Sequence, residues 1–450
     1  MRRPERPGAM VDGVMMTGRR RQDALRKAIR YGLAAIGPVG AAASQFLLML
    51  QLLHLLDPAQ FGAFSFLLVT SNFSNGVWSA LFCAPLPVVT STGNDTERAT
   101  MLRSLFTTNL IVAFAAFLLF WQLGRALAVP TGAACLFGAY AAFALLRWFA
   151  RSYAYVRGRQ MLTTASDLTY SLILFSGVVA IQLLRPTSLM LPAALLCVSV
   201  VLGLLPFGAD YLRRQFLDLS LRSVPRYGEI WRKHSGWSLL GVVTTEATAN
   251  AHAYLVTLFI GPAAFAPLSA SALLMRPISV VTNALTDFER PQMARQISDG
   301  RIDLARRGVS LFRFALMAMW AATAVAAWLV LAYAPRLLFP AQYELHVLAI
   351  GAALWMSVAA IRLLRQPDSV LLQAAGRFRP LAYASVASCG ISISAVALLL
   401  LFSGPLWSIA GIFLGELVCA IMIWRQARRW REAHPAAAPT TTPPDPDSGK

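Results

Sequence analysis

The sequence predicts an all-α membrane protein with about twelve transmembrane helices arranged in two lobes of six. Three observations predict this fold: the composition, the spacing of long apolar runs and the distribution of positive charge. Hydrophobic residues make up 57% of the 450 residues, charged residues make up 14%, and the mean hydropathy is +0.57. Because lipid cannot satisfy free backbone N–H and C=O groups, apolar runs long enough to cross a bilayer are expected to be helices.

The long apolar runs define the predicted helices. Their limits are 31–56, 62–89, 105–124, 129–149, 162–184, 188–211, 236–260, 264–287, 309–334, 345–364, 380–402 and 406–424. The longest connection joins the sixth and seventh helices and divides the chain into halves. We therefore expect a basic N-terminal segment, an N-lobe, a linker, a C-lobe and a disordered tail, with the limits 1–30, 31–212, 213–235, 236–424 and 425–450.

Positive charge falls on alternate connections. We place the runs 147–159 and 362–379 in connections on the rich side, whereas the other side has only Arg125, Arg185 and Arg336. Cationic connections resist transfer across an energised membrane, so the rich side and both termini are expected to be cytoplasmic. The net charge of +19 lies beside apolar spans, which favours anionic membrane lipids over nucleic acid as the partner.

An internal repeat supports the division into lobes. At an offset of 204 residues, 57–61 aligns with 261–265 without a gap, and at an offset of 218 Arg147 aligns with Arg365. An even number of helices in each half gives both halves the same orientation. The predicted repeat is therefore parallel, with a pseudo-two-fold axis along the membrane normal.

A few charged or titratable residues lie within the predicted spans. Arg276 is the only arginine that lies clearly at mid-membrane, and the other candidates are Glu246, Asp167, Glu416 and His252. Charge in a bilayer is costly, so each is a functional candidate. One interpretation is an Arg276–Glu246 ion pair that only fixes packing. The other is that Arg276 contacts substrate and that the carboxylates and His252 are ion-coupling sites, although His252 alone is better explained as a packing residue.

Two polar stripes align in the repeat. They consist of Arg276, Ser279 and Asn283 on the eighth predicted helix and of Asn72, Asn75 and Ser79 on the second. The spacing i, i+3, i+7 places each set on one helix face. In lipid such faces must meet protein or water, so we expect them to face each other across a central cavity. Gln45 in the first helix is a further candidate cavity residue.

Several segments resemble a known family. The sequence at 53–65 resembles the helix 1–2 turn of bacterial polysaccharide flippases, the Wzx-type O-antigen and exopolysaccharide transporters. The region 254–277 resembles that family's second-half hairpin, and 371–377 resembles its helix 10–11 loop. The resemblance implies the fold of the multidrug/oligosaccharidyl-lipid/polysaccharide (MOP) exporter superfamily, which includes the MATE transporters. It implies alternating-access transport of undecaprenyl-pyrophosphate-linked oligosaccharide across the bacterial cytoplasmic membrane, from the inner to the outer leaflet.

This resemblance agrees with the residue chemistry. A pyrophosphate favours a fixed arginine such as Arg276, and sugars favour the asparagine and serine side chains of the stripes. Polysaccharide polymerase and glycosyltransferases are further candidate partners. The sequence contains no hydrolase, zinc or Walker motif, and we expect neither enzymatic activity nor a cofactor or metal. Two alternatives remain: an ion-coupled drug antiporter with Glu246 or Asp167 as its ion site, and a membrane-embedded glycan-modifying acyltransferase.

Overall fold

The computed structural model describes residues 37–91, 94–185 and 188–434, and every structural statement below refers to this part of the chain. It contains twelve long helices. We number them α1 to α12, with the limits Gly37–Leu55, Pro58–Thr90, Asp95–Ala126, Thr131–Val156, Gln160–Leu184, Met190–Phe207, Gly236–Phe259, Pro262–Ser298, Ile302–Tyr333, Leu345–Ala374, Phe378–Ser403 and Pro405–Ala433. Short helical segments between α6 and α7 cover Ala209–Phe216, Leu221–Arg226 and Tyr227–Ile230.

Eleven of these helices are long and apolar enough to cross a membrane. The exception is α7, which has 24 residues but carries Glu246, Asn250 and His252. The prediction of an all-helical membrane fold is therefore confirmed for the described residues. The predicted N-terminal segment 1–30 and the last residues of the predicted tail, 435–450, lie outside them.

Several helices are longer than predicted at the end where the arginine-rich connections lie. We call this the basic end and the other the opposite end. The helices α8, α10 and α12 continue to Ser298, Ala374 and Ala433, about ten residues beyond their predicted ends. An apolar run marks only the part of a helix suited to hydrocarbon, and a helix can continue into the polar region with pairs such as Arg428 with Glu432, whose Nε and Oε1 atoms are 2.9 Å apart.

The repeat appears in the starts of α2 and α8. Both helices begin with proline, at Pro58 and Pro262, where the missing N–H costs no helical hydrogen bond. The residue before each proline forms the turn into the helix in a different way. Asp57 caps α2 by accepting a hydrogen bond from the N–H of Gln60 at 2.9 Å, whereas Gly261 turns the chain into α8 with a φ of +111°.

The hydrophobic cores show where the lobes are joined. At the basic end each lobe has its own core, one around Phe82 and Phe149 and the other around Phe312 and Leu371. Towards the opposite end the cores are shared. Phe66 of α2 packs with residues of the C-lobe in one of them. The lobes therefore meet at the opposite end and separate towards the basic end.

Two contacts close the opposite end. Gly62 of α2 lies so close to Pro262 of α8 that a Cβ atom added at Gly62 would overlap the Pro262 carbonyl. In addition, the Gln342 side-chain amide, between α9 and α10, donates to the carbonyl oxygens of Leu56 and Leu53 at 3.1 and 3.4 Å. Space between the lobes is therefore closed at this end.

Candidate functional site

Two adjoining chambers occupy the interior. The C-lobe chamber has a volume of about 500 Å³ and is lined mainly by α7, α8 and α10. The inter-lobe chamber has a volume of about 780 Å³ and is lined by helices of both lobes. Asn72, Asn283 and Gln366 line both chambers and form their common boundary. Both volumes fall in the range of about 300–1,000 Å³ that is usual for ligand sites.

Arg276 lines the C-lobe chamber at a break in α8. One turn of 3-10 helix, Leu273–Met275, comes directly before it, and Pro277 follows. Proline lacks the N–H that would continue the hydrogen-bond ladder, so the irregular turn has a local cause. Among the described residues, no ion pair or hydrogen bond involves the Arg276 side chain. Its guanidinium is available to a ligand in the chamber.

Glu246 lines the same chamber without pairing with Arg276. Its Oε2 atom accepts a hydrogen bond from the Asn250 side-chain amide at 3.1 Å. A Cβ atom added at Gly76 of α2 would be 3.5 Å from Oε1, so Glu246 lies against a bare stretch of helix backbone. The interpretation of Arg276 and Glu246 as a packing ion pair is therefore wrong for this conformation, because Asn250 is the side-chain partner of Glu246.

His252 is only 5% exposed and lies among aromatic rings. Its ring centroid is 5.0 Å from that of Trp355 and 5.8 Å from that of Phe265. These contacts are those of a packing residue. His252 also borders the C-lobe chamber, one turn and a half from Glu246 along α7.

The structure brings the polar stripes to the chambers, with one exception. Asn75 lines the inter-lobe chamber and Ser279 lines the C-lobe chamber. Ser79 lines neither. It lies in the π-helical segment Ser79–Cys83, and its hydroxyl accepts a hydrogen bond from the Trp148 indole at 2.6 Å. The Ser79 N–H keeps the regular helical hydrogen bond to the Asn75 carbonyl, so the irregular turn begins beyond it. Ser79 is instead engaged by an indole from α4, a contact between helices that the spacing along one helix could not predict.

Gln45 lies on the N-lobe side of the inter-lobe chamber. Its side-chain amide donates to the Tyr170 hydroxyl at 2.9 Å and to the Tyr140 hydroxyl at 3.5 Å. The Arg147 guanidinium lies over the Tyr170 ring, 4.6 Å from its centroid. This wall of the chamber is therefore aromatic and hydrogen-bonding.

Asp167 is held by two arginines of α4. Arg147 donates to Oδ1, and Arg151 donates to Oδ2 at 3.0 Å. The Asp167 side chain is only 2% exposed. Gly37 of α1 packs directly on it, since a Cβ atom added there would be 2.9 Å from Oδ2. Asp167 thus fixes α1, α4 and α5 together and has little freedom to bind an ion.

Glu416 forms the matching cluster in the C-lobe. Arg362 and Arg365 of α10 each donate to one of its oxygens, both at 2.7 Å. The Glu416 side chain is 4% exposed. Like Asp167, it is held by two arginines and lines neither chamber.

The placement of Arg147, Arg362 and Arg365 corrects the sequence analysis. We counted the runs 147–159 and 362–379 with the connections, although the predicted spans 129–149 and 345–364 already include Arg147 and Arg362. In the structure all three arginines lie inside α4 and α10 and contact buried carboxylates. The error came from assigning every arginine near a predicted helix end to the neighbouring connection. The alignment of Arg147 with Arg365 in the repeat could have prevented this error. So could the carboxylate within the spans of each lobe, because a buried carboxylate needs a cation nearby.

The sequence matches no protein-family model and no curated protein. The fold, however, matches solved structures. An inward-facing multidrug resistance MATE family transporter of the MOP superfamily has a TM-score of 0.65 at 12% identity, covering 89% of this chain and 98% of that chain. The lipid II flippase MurJ in an inward closed conformation has a TM-score of 0.66 at 8% identity, covering 89% and 87%.

A third neighbour is a MOP superfamily transporter from Pyrococcus furiosus, described as having a binding pocket of reversed polarity. It has a TM-score of 0.57 at 13% identity and covers 90% of this chain and 96% of that chain. These proteins are transporters and flippases. At such low identity the likeness shows the fold, and this chain has the fold of MOP superfamily transporters.

Proposed function

We propose that the protein is a flippase for undecaprenyl-pyrophosphate-linked oligosaccharide in the bacterial cytoplasmic membrane. It moves the glycolipid from the inner to the outer leaflet by alternating access, for O-antigen, capsule or exopolysaccharide synthesis. The observation that carries this proposal is the Arg276 side chain, which borders the C-lobe chamber without an acidic partner. The lobe limits predicted from the sequence, with a linker at 213–235, are part of the proposal.

An unpaired guanidinium inside a bundle is costly unless an anion compensates it. Arg362 and Arg365 border the same chamber but share the carboxylate of Glu416. Arg276 therefore offers its donors to a ligand. Its planar fork suits the oxygens of a phosphate, which it can bind in a bidentate manner.

The inter-lobe chamber suits the glycan. Asn72, Asn75 and Asn283 offer donors and acceptors, and Trp148 and Tyr155 offer aromatic surface. A sugar needs both kinds of contact, since its hydroxyls form hydrogen bonds and its C–H faces pack on rings. In this arrangement the pyrophosphate lies in the C-lobe chamber and the oligosaccharide extends past Asn72 and Asn283 into the wider space.

The basic end faces the cytoplasm in this proposal, in accordance with the charge alternation. The cavity then opens towards the leaflet in which lipid-linked oligosaccharides are assembled. Glycosyltransferases would supply the substrate on that side, and a polysaccharide polymerase would use it on the other.

The second candidate is an ion-coupled drug antiporter on the same fold. Glu246 favours it, because this carboxylate lines a chamber and its side-chain partner is the neutral Asn250. Asp167 and Glu416 do not favour it, because each is held by two arginines. No feature of the described residues favours the acyltransferase alternative in a comparable way.

Binding of the lipid carrier tests the proposal. Purified protein should bind undecaprenyl pyrophosphate and should not bind undecaprenol. Loss of a charged hydrogen bond should weaken binding by about 10- to 100-fold in Arg276→Gln. Arg336→Gln, at an exposed arginine of the opposite end, is the control and should bind normally. Equal binding of the two lipids, or unchanged binding by Arg276→Gln, would contradict the proposal.

A further inference from the structure

A separate basic pocket lies on the N-lobe at the basic end. It has a volume of about 380 Å³ and lies between the α4–α5 turn, the end of α6 and the segment Ala209–Phe216. Three of its lining residues are arginines: Arg157, Arg159 and Arg214. It shares no lining residue with the two chambers described above.

Local backbone geometry brings these arginines together. Gly158, with a φ of +70°, reverses the chain between Arg157 and Arg159. Gly208, with a φ of +87°, turns the chain from α6 into the segment that carries Arg214. Both turns require a positive φ, which glycine adopts without strain.

Tyr153 positions two of the arginines. The Arg157 guanidinium lies 5.5 Å from the centroid of its ring, and Nη1 of Arg214 donates to its hydroxyl at 3.4 Å. The Tyr153 side chain is itself buried in the N-lobe core. The two cations are therefore held against a fixed aromatic support.

The arginines of the pocket have no acidic partner. Among the described residues, no ion pair involves Arg157, Arg159 or Arg214, whereas the adjacent Arg213 pairs with Asp218 at 3.5 Å. Asp210 also lines the pocket but forms no ion pair with these arginines, and its single negative charge is outnumbered by their three positive charges. An excess of positive charge remains and needs an anion.

Exposed apolar side chains lie directly beside the pocket. Met161 precedes the lining residue Leu162 and is 69% exposed, and Leu205 precedes the lining residue Pro206 and is 55% exposed. In a membrane-spanning bundle such side chains contact hydrocarbon. The pocket is therefore located where headgroups meet acyl chains, at a basic cleft between helices.

We propose that this pocket binds the phosphate-bearing headgroup of an anionic glycerophospholipid in the leaflet at the basic end. The phosphate is bound by Arg157, Arg159 and Arg214, and the acyl chains lie along the exposed apolar surface of α5 and α6. The site is independent of the transport substrate. Its existence does not depend on whether the central chambers bind a glycolipid or a drug.

Lipid retention tests this site. The protein is reconstituted into nanodiscs that contain phosphatidylglycerol and phosphatidylcholine, and retained lipids are counted by native mass spectrometry. Each arginine should contribute about fivefold to affinity. The triple variant Arg157→Gln/Arg159→Gln/Arg214→Gln should lose one retained phosphatidylglycerol. Equal retention by the triple variant and the wild type would overturn the proposal.

A matched control removes the same charge from the same end of the protein. Arg213→Gln/Arg222→Gln/Arg226→Gln changes three exposed arginines that do not line the pocket, and it should retain phosphatidylglycerol like the wild type. Loss of the lipid in this control as well would mean that only general surface charge attracts it, and would refute the site.

Two further measurements separate lipid binding from misfolding and from binding of a free anion. Asp210→Asn removes the opposing carboxylate and should strengthen retention about fivefold; weaker retention would contradict the site. Glycerol 3-phosphate added to phosphatidylcholine nanodiscs should raise the melting temperature less than phosphatidylglycerol does. An equal increase would identify the ligand as a free phosphate and overturn the lipid assignment.

Discussion

Gly62 of α2 packs against the backbone carbonyl of Pro262 in α8. The two residues lie at the starts of helices that the internal repeat relates, and their contact closes the opposite end of the bundle. A helix pair can approach this closely only where one side chain is absent. In the proposed alternating-access cycle, this contact separates when the cavity opens at the opposite end.

Gly62→Ala should therefore shift the protein away from this conformation. The added Cβ atom overlaps the Pro262 carbonyl only while the opposite end is closed, so the closed state loses stability relative to the open one. A spin-label pair across the two helix starts should show longer distances in the variant. Gly390→Ala, where an added Cβ atom meets no neighbour, is the control. Unchanged distances in Gly62→Ala would contradict this role of the contact.

Cysteine labelling tests whether the polar stripes face water. Asn75→Cys and Ser279→Cys line the chambers and should react with a small aqueous thiol reagent. Ser271→Cys, at a fully buried position, should not react. If Asn75→Cys and Ser279→Cys stay protected in every condition, the stripes are packed and the assignment of the cavity fails.

The Asp167 cluster should matter for stability. Asp167→Asn leaves Arg147 and Arg151 without their carboxylate in the bundle, and breaking a buried pair in this way costs about 3–5 kcal/mol. The melting temperature and the membrane abundance of the variant should fall. Asp95→Asn removes an exposed partner of Arg98 and should change neither. Normal stability of Asp167→Asn, combined with loss of ion dependence of transport, would instead identify Asp167 as an ion site.

A double mutant separates the two interpretations of Arg276. Because Glu246 pairs with Asn250 and not with Arg276, we expect Arg276→Ala to abolish transport while the protein remains abundant. Adding Glu246→Gln should not restore transport. Recovery of both transport and abundance in the double variant would show that the two residues compensate each other and that Arg276 is not the phosphate contact.

Much of the fold can be predicted from the sequence. The bilayer requires an apolar run for each spanning helix, and the alternation of positive charge indicates on which side each connection lies. The stripe of Arg276, Ser279 and Asn283 also follows, since a regular helix places it on one face. The exclusion of Ser79 from the chambers could not be predicted, because its partner, the Trp148 indole, lies on another helix. The ion clusters could not be predicted either. Arg147 and Arg365 align in the repeat, but Arg151 and Arg362 do not, and Asp167 lies on α5 whereas Glu416 lies on α12.

The sequence also could not predict which end of the bundle is closed. In the proposed transport cycle both conformations use the same residues, so composition and spacing do not indicate which end is closed. Which end is closed depends on packing contacts such as that of Gly62 with the Pro262 carbonyl. This contact exists because glycine has no Cβ atom to block it.

Reconstituted transport tests the central claim most directly. Proteoliposomes containing the purified protein receive a fluorescent undecaprenyl-pyrophosphate oligosaccharide, and its transfer between leaflets is followed by quenching from outside. The same preparation is tested for drug accumulation under a proton or sodium gradient. We expect the glycolipid to cross with the wild type and not with Arg276→Ala, and the drug not to accumulate. Gradient-driven accumulation of the drug without glycolipid transfer, abolished by Glu246→Gln, would contradict the account and identify an antiporter.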